Sequence, residues 1–126
     1  MKAPENLKYT KEHEWILVNG KTATIGITDY AQGELGDIVF LDIDSDIKEI
    51  VKGKTFGTIE AVKTVSDIFG PFTGNVIEIN NALTESPELI NKDPYGEGWM
   101  IKAEIKNPTD LDDLLDSKSY KELIGQ

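Results

Sequence analysis

One histidine, no cysteine, and thirteen lysines without an arginine set the chemistry open to this 126-residue chain. The missing thiols remove disulfides, thiolate catalysis, thiolate zinc sites and iron–sulfur clusters together. Any Ser-His-Asp arrangement would have to use His13, which is followed directly by Glu14 and Trp15, and no G-x-S-x-G elbow exposes a serine. A lone histidine at a strand start is expected to be a surface or capping residue. Asp42, Asp44 and Asp46 have the spacing that opens a calcium loop, but the sixth loop position is Ile47 instead of glycine and the twelfth is Gly53 instead of glutamate. They read as a solvated acidic loop. Asp110, Asp112, Asp113 and Asp116 read as a wetted helix face that favours the N-terminal dipole. Gly33-x-x-Gly36 and Gly96-x-Gly98 match neither a phosphate loop nor a dinucleotide fingerprint. With 23 acidic side chains against 13 lysines, the net charge is −10. Without a guanidinium there is no bidentate phosphate recognition, so nucleic acid and anionic membranes are poor partners.

Lys63 stands apart from the other lysines. It lies between two strand-like runs, Thr55–Glu60 and Val65–Phe69, in a connection, Ala61-Val62-Lys63-Thr64, that holds no Gly, Asn, Asp or Pro. Tight turns ordinarily want those residues. A modifying enzyme that needs one lysine displayed in a fixed shape would select such a connection. Glu60 and Asp67 flank it at −3 and +4.

The elements that must position these groups follow from periodicity and turn chemistry. Asn19-Gly20 separates Glu14–Val18 from Lys21–Ile27, and a type I′ turn there would pair Val18 with Lys21, Ile16 with Ala23 and Glu14 with Ile25. Thr28 can cap a short helix through Leu35. Asp37–Ile43, Asn75–Asn80 and Trp99–Ile105 read as further strands, and Lys52-Gly53 as a turn. Pro87 suits the first turn of a brief helix over Pro87–Ile90. Thr109 is placed to cap a helix containing Leu111, Leu114 and Leu115, which Ser117 restarts with Tyr120, Leu123 and Ile124 on one face. Short strands punctuated by glycine predict a β-rich α+β fold, a small sandwich or flattened barrel, with short helices at the N-terminal side and the C-terminus and one domain over 1–126. Met1–Tyr9 contains no apolar core of a secretory signal, and the longest apolar runs are four residues. A cytoplasmic protein is the expectation.

Several blocks, in order and in register from about Leu7 to Ile124, resemble one family. They are His13-Glu14-Trp15, Ala23-Thr24-Ile25-Gly26-Ile27-Thr28 with Leu35-Gly36-Asp37, Gly57 to Ile68 around Lys63, and Leu89-Ile90-Asn91 leading to Pro94-Tyr95-Gly96-Glu97-Gly98-Trp99. The pattern is similar to the glycine cleavage system H protein. Ala61 stands where the family usually carries serine, and Gly70 where many members carry serine or alanine; neither change removes a reactive group. The resemblance implies a hybrid barrel-sandwich of lipoyl-domain type with Lys63 at a hairpin tip, bearing lipoic acid through an amide. It implies Glu60, Val62 and Thr64 as residues read during modification, and Glu14 and Asp67, with Glu12 and His13 at the rim, as a cleft that shields the loaded arm from water. It implies a non-catalytic shuttle of an aminomethyl group from a pyridoxal-phosphate glycine decarboxylase to a tetrahydrofolate-dependent aminomethyltransferase, and of electrons to dihydrolipoamide dehydrogenase. A lipoate ligase or a lipoyl/octanoyl transferase would load a monomeric carrier. Two other readings stay open on sequence: a relay donating lipoyl groups to 2-oxoacid dehydrogenase complexes, and an unmodified binding module. Biotin carriage is disfavoured, since that family brackets its lysine with methionines where Val62 and Thr64 stand here.

Overall fold

The computed structural model describes residues 2–126; Met1, the first residue of the leader reading, lies outside them. Two antiparallel sheets make up the body. The larger has six strands in the order β1 (Lys8–Tyr9), β2 (Glu14–Asn19), β3 (Thr22–Ile27), β9 (Ile101–Ile105), β8 (Gly74–Ile79) and β5 (Glu49–Ile50). The smaller orders β4 (Ile38–Asp42), β6 (Thr55–Ala61) and β7 (Val65–Phe69). The β-rich α+β expectation holds, and the sheets face each other as an unclosed barrel-sandwich. Inward-facing Ile16, Ile25, Ile59, Ile68, Phe72 and Ile101 meet between them, all buried. Each such side chain contributes about 1.5–3 kcal/mol by leaving water. A second cluster, built from Leu7, Tyr9, Trp15 and Tyr120, closes the end where the termini pack.

Helix α1 (Asp29–Leu35) begins where the sequence places it, with the Thr28 hydroxyl accepting from the Ala31 amide. Two more helices, α2 (Ala82–Glu85) and α3 (Leu89–Lys92), fill the connection between the neighbouring strands β8 and β9. The expected helix at Pro87–Ile90 is therefore displaced to Leu89–Lys92, and α2 was not anticipated. That connection must bury Leu83 and Ile90 against the core, and the tertiary demand sets its helical turns.

Local chemistry misleads at five further points. The β2–β3 turn pairs Asn19 with Thr22, Ile16 with Ile25 and Glu14 with Ile27, one residue later than the Asn-Gly reading. Gly20 alone of the turn has positive φ, +64°, which fits glycine at the first central position of a II′-like turn and leaves Lys21 in ordinary backbone. The displaced turn still sends the same side chains inward. At the C-terminus, Asn107, not Thr109, caps a short 3₁₀ turn over Pro108–Leu111. Leu115 is not helical: its amide and carbonyl exchange 2.8 Å bonds with Tyr9, covering the edge of β1. In α4 (Ser117–Leu123), capped by Asp116, Tyr120 is fully buried and stacks on Tyr9 with ring centroids 4.6 Å apart, but Leu123 faces water. The C-terminal carboxylates are tie points more than a wetted face. Asp110 accepts from the Thr73 amide at 2.9 Å, Asp113 pairs with Lys52 at 2.8 Å, and Asp116 caps α4.

Gly70 has a local reason. A Cβ there would lie 2.5 Å from the Val51 carbonyl oxygen, because Lys52 and Gly70 meet in a bridge between the sheets. Gly26, opposite Trp15, leaves room for the indole, whose Nε1 donates to the Pro94 carbonyl at 2.8 Å.

Candidate functional site

The connection between β6 and β7 closes without turn residues because it is held from the side. Glu60 pairs with Val65, and the Ala61 amide donates to the Thr64 carbonyl at 2.8 Å. None of residues 61–64 has positive φ. The Val62 amide leaves the hairpin altogether and donates to the Asp37 carbonyl at 3.0 Å. Asp37 is itself fixed by Asn91 on α3. The Asn91 carboxamide accepts from the Ile38 amide at 3.0 Å and donates to the Gly36 carbonyl at 2.9 Å and to Gln32 at 3.0 Å. Gly36 takes positive φ where α1 ends, so the chain can turn into β4 at that point. The sequence reading quoted Asn91 only as the end of the block Leu89-Ile90-Asn91 and gave it no role.

Lys63 is exposed at the tip, and among the described residues no carboxylate lies within ion-pair distance of it. Val62 beside it is 72% exposed, and Thr64 and Glu60 are also exposed. Ala61 faces inward, paired with Ile38, so a methyl group occupies a buried position where a hydroxyl would need a partner.

Glu12, His13, Glu14 and Asp67 do converge. They line a cleft of about 260 Å³ between the chain entering β2, helix α1 and strand β7. Its floor is apolar, made by Ile27, Ala31, Leu35 and Ile59, and its rim is acidic. Tyr30 and Glu34, one helical turn apart on α1, complete that rim. Glu34 was not foreseen, because α1 was read from its cap and not from its exposed stripe. Strand rise places Asp67 about 13 Å along the chain from Lys63. A larger hollow of about 580 Å³ beside α4 contains none of these residues.

Glu14 is 2% exposed. One carboxylate oxygen accepts from the Thr10 hydroxyl at 2.8 Å, the other from the Phe69 amide at 3.1 Å. Burial pushes its pKa up from 4.5 to about 7; the two hydrogen bonds pull it back, and nearby Glu12 adds a smaller upward push. His13 is not a simple surface residue. It takes φ +69°, donates its amide to the Thr10 carbonyl, and its Nδ1 lies 2.9 Å from the Tyr120 hydroxyl. That hydroxyl also meets Thr28 Oγ1 at 2.7 Å, so one buried oxygen joins the cleft wall, the α1 cap and the C-terminal helix. Burial lowers the His13 pKa and raises that of Tyr120 to about 12. Among the described residues no three acidic or imidazole side chains converge to hold a metal ion.

This arrangement suits a ligand delivered from the tip. An apolar floor takes a hydrocarbon chain, and an acidic rim takes a cation at its end by charge-assisted hydrogen bonds. Comparison with known proteins points the same way. The family model described as Glycine cleavage H-protein matches residues 7–126. A glycine cleavage system H protein of Bacteroides fragilis is 57% identical over 125 residues, covering 99% of both chains. One from Staphylococcus haemolyticus is 53% identical over 126 residues, covering both chains completely. The crystal structure of a glycine cleavage system H protein from Mycobacterium marinum superposes with a TM-score of 0.90 at 32% identity, covering 98% of this chain and all of that one.

Proposed function

This chain belongs to the glycine cleavage H-protein family, and from that premise we propose that Lys63 is the residue to which its lipoyl group is joined. It is a lipoyl carrier of the glycine cleavage system. When bound, the lipoyl group supplies the disulfide and dithiol chemistry that a chain without cysteine lacks. The chain's own residues display, shelter and orient. Lys63, exposed and unpaired at a laterally held tip, presents its amine for acylation. Glu60, Val62 and Thr64 form the surface that a lipoate ligase or a lipoyl/octanoyl transferase meets there.

The cleft serves the loaded state. Ile27, Leu35 and Ile59 exclude water from whatever enters, and Glu14, Asp67 and Glu12 accept hydrogen bonds from a cationic amine, with His13 closing one wall. With its pKa near 7 in the open cleft, Glu14 is only partly ionised at neutral pH. An arriving ammonium favours its carboxylate form and displaces a proton to solvent. Nothing in this role requires the chain to catalyse a step. The reading places the protein in the cytoplasm as a monomer meeting glycine decarboxylase, aminomethyltransferase and dihydrolipoamide dehydrogenase in turn. Its net charge of −10 supports fast, steered encounters with such partners.

The observation that carries this reading is one unpaired amine at a rigid tip, about 13 Å along the chain from an acidic cleft with an apolar floor. Reconstitution with the three purified enzymes tests it. Lipoylated protein supports glycine decarboxylation, whereas unmodified protein and the Lys63→Arg variant do not; decarboxylation by the variant would overturn the assignment.

A further inference from the structure

Among the described residues, eight large apolar side chains are exposed, and four of them surround Lys63: Val39, Phe40, Val62 and Val65. Their placement follows from the register of the smaller sheet. Phe40 on β4 lies opposite Glu60 on β6, which lies opposite Val65 on β7. Directly opposed residues share a face, so these three form one row across the outer surface, their Cβ atoms about 5 Å apart. The bulge in β4 falls at Val39 and leaves it 51% exposed beside Phe40 at 46%, with Val65 at 60%. The Val62–Asp37 bond draws the tip against the start of β4, so the apolar row and the lysine form one surface. Behind that row lies another, Asp42, Thr58 and Asp67, again in direct register. The outer face is thus apolar next to Lys63, carries a carboxylate at its centre, and is acidic further down the strands.

We propose that this outer face, Val39, Phe40 and Val65 around Glu60, is the docking surface for the enzyme that acylates Lys63. That enzyme presents an apolar recess to the row and cationic side chains to Glu60 and Asp42; Asp67, on the edge strand β7, is left to the cleft. The inference rests on Lys63 being the attachment site. Isolated exposed valines are ordinary on any protein; four apolar chains gathered beside one unpaired lysine mark an interaction surface. An enzyme whose active site must close on Nζ necessarily covers what adjoins the tip. The transfer joins Nζ to the acyl carbon as an amide, the donor's leaving group departs with its bonding electrons, and the ammonium gives up two protons to water.

The test measures initial rates of Lys63 acylation by a purified lipoate ligase with lipoate and ATP, read by intact mass. The Phe40→Ser/Val65→Ser double variant raises KM for the carrier about tenfold with kcat little changed. The control Ile77→Ser/Leu123→Ser, which removes two exposed apolar chains elsewhere, keeps the normal KM. Because the mutated side chains are solvent-exposed, thermal unfolding of the double variant matches the parent, and this is checked on the same sample. Rising salt raises KM for the parent and much less for Glu60→Gln. A normal KM for the double variant overturns the proposal. So does normal acylation combined with slowed glycine decarboxylation, which would assign the face to the decarboxylase. If Lys63→Arg is acylated at another lysine, the attachment site itself is wrong, a failure distinct from these.

Discussion

The hairpin tip and the wall of the cleft stand at opposite ends of β7 and are built on opposite principles. At the tip, Val62 and Lys63 are open to water, and backbone bonds to Asp37 and Thr64 hold the loop. At the wall, Glu14 is buried with both oxygens engaged, and a single Tyr120 hydroxyl ties His13 to the cap of α1. One region costs little to change and everything to lose chemically; the other is interwoven with the core. On the proposed reading the carrier needs both, an arm reachable when empty and a cleft for it when loaded. The difference teaches that display is achieved here by rigid backbone with free side chains, and shelter by buried side chains with tuned ionisation.

Replacing the exposed lysine separates the two regions most sharply. Lys63→Arg abolishes lipoylation completely while moving the melting temperature by about 2 °C or less, because no core contact is lost. Intact mass and thermal unfolding read the two effects; a large thermal loss contradicts a free tip.

Next in size is the ionisation of Glu14. Its folded pKa of about 7 lies above its ordinary 4.5, so the folded state holds the proton longer than the unfolded chain. The stability from this group is fully present below pH 4.5 and is lost as pH rises through 7, roughly 3 kcal/mol at most. His13, with its pKa lowered, acts in the opposite sense, removing stability as pH falls below 6.5. Subtracting the urea-unfolding profile of Glu14→Gln from that of the parent isolates the first effect. The expected difference grows in favour of the variant between pH 4.5 and 7, and a flat difference would contradict a buried, partly protonated carboxyl.

Asn91→Ala removes the clamp behind the tip and leaves the Ile38 amide and Gly36 carbonyl without that partner, costing about 1–3 kcal/mol. Its specific signature is faster hydrogen exchange at the Val62 amide than at amides of β3; uniform acceleration would show that Asn91 supports the fold without supporting the tip. The smallest effect belongs to Tyr120→Phe, which keeps the stacked ring and deletes the hydroxyl, at about 1 kcal/mol. His13 then titrates differently by NMR while lipoylation proceeds normally.

What the sequence made legible was local chemistry. Thr28 announces a helix start, β-branched runs announce β6 and β7, and an unusual turn composition draws attention to Lys63. The family resemblance brought Glu12, His13, Glu14 and Asp67 forward, and the fold gathers them around one cleft. Features set at a distance were hidden. The absence of turn residues at 61–64 makes sense only once Asp37, some 25 positions earlier in the chain, supplies the missing acceptor. Leu115 reads as helical until its exchange of bonds with Tyr9 is seen, and Asn19-Gly20 suggests one turn where the strands settle on the next. Glu34 and Asn91 look ordinary because their roles arise from elements brought together by the sandwich.

The central claim is that one displayed amine carries the prosthetic arm. Protein purified from its native host under lipoate-replete growth, digested and mapped by mass spectrometry, tests it directly. The account predicts a single lipoyl increment on the peptide containing Lys63 and on no other of the thirteen lysines. An unmodified Lys63, or an increment on a different lysine, would contradict it.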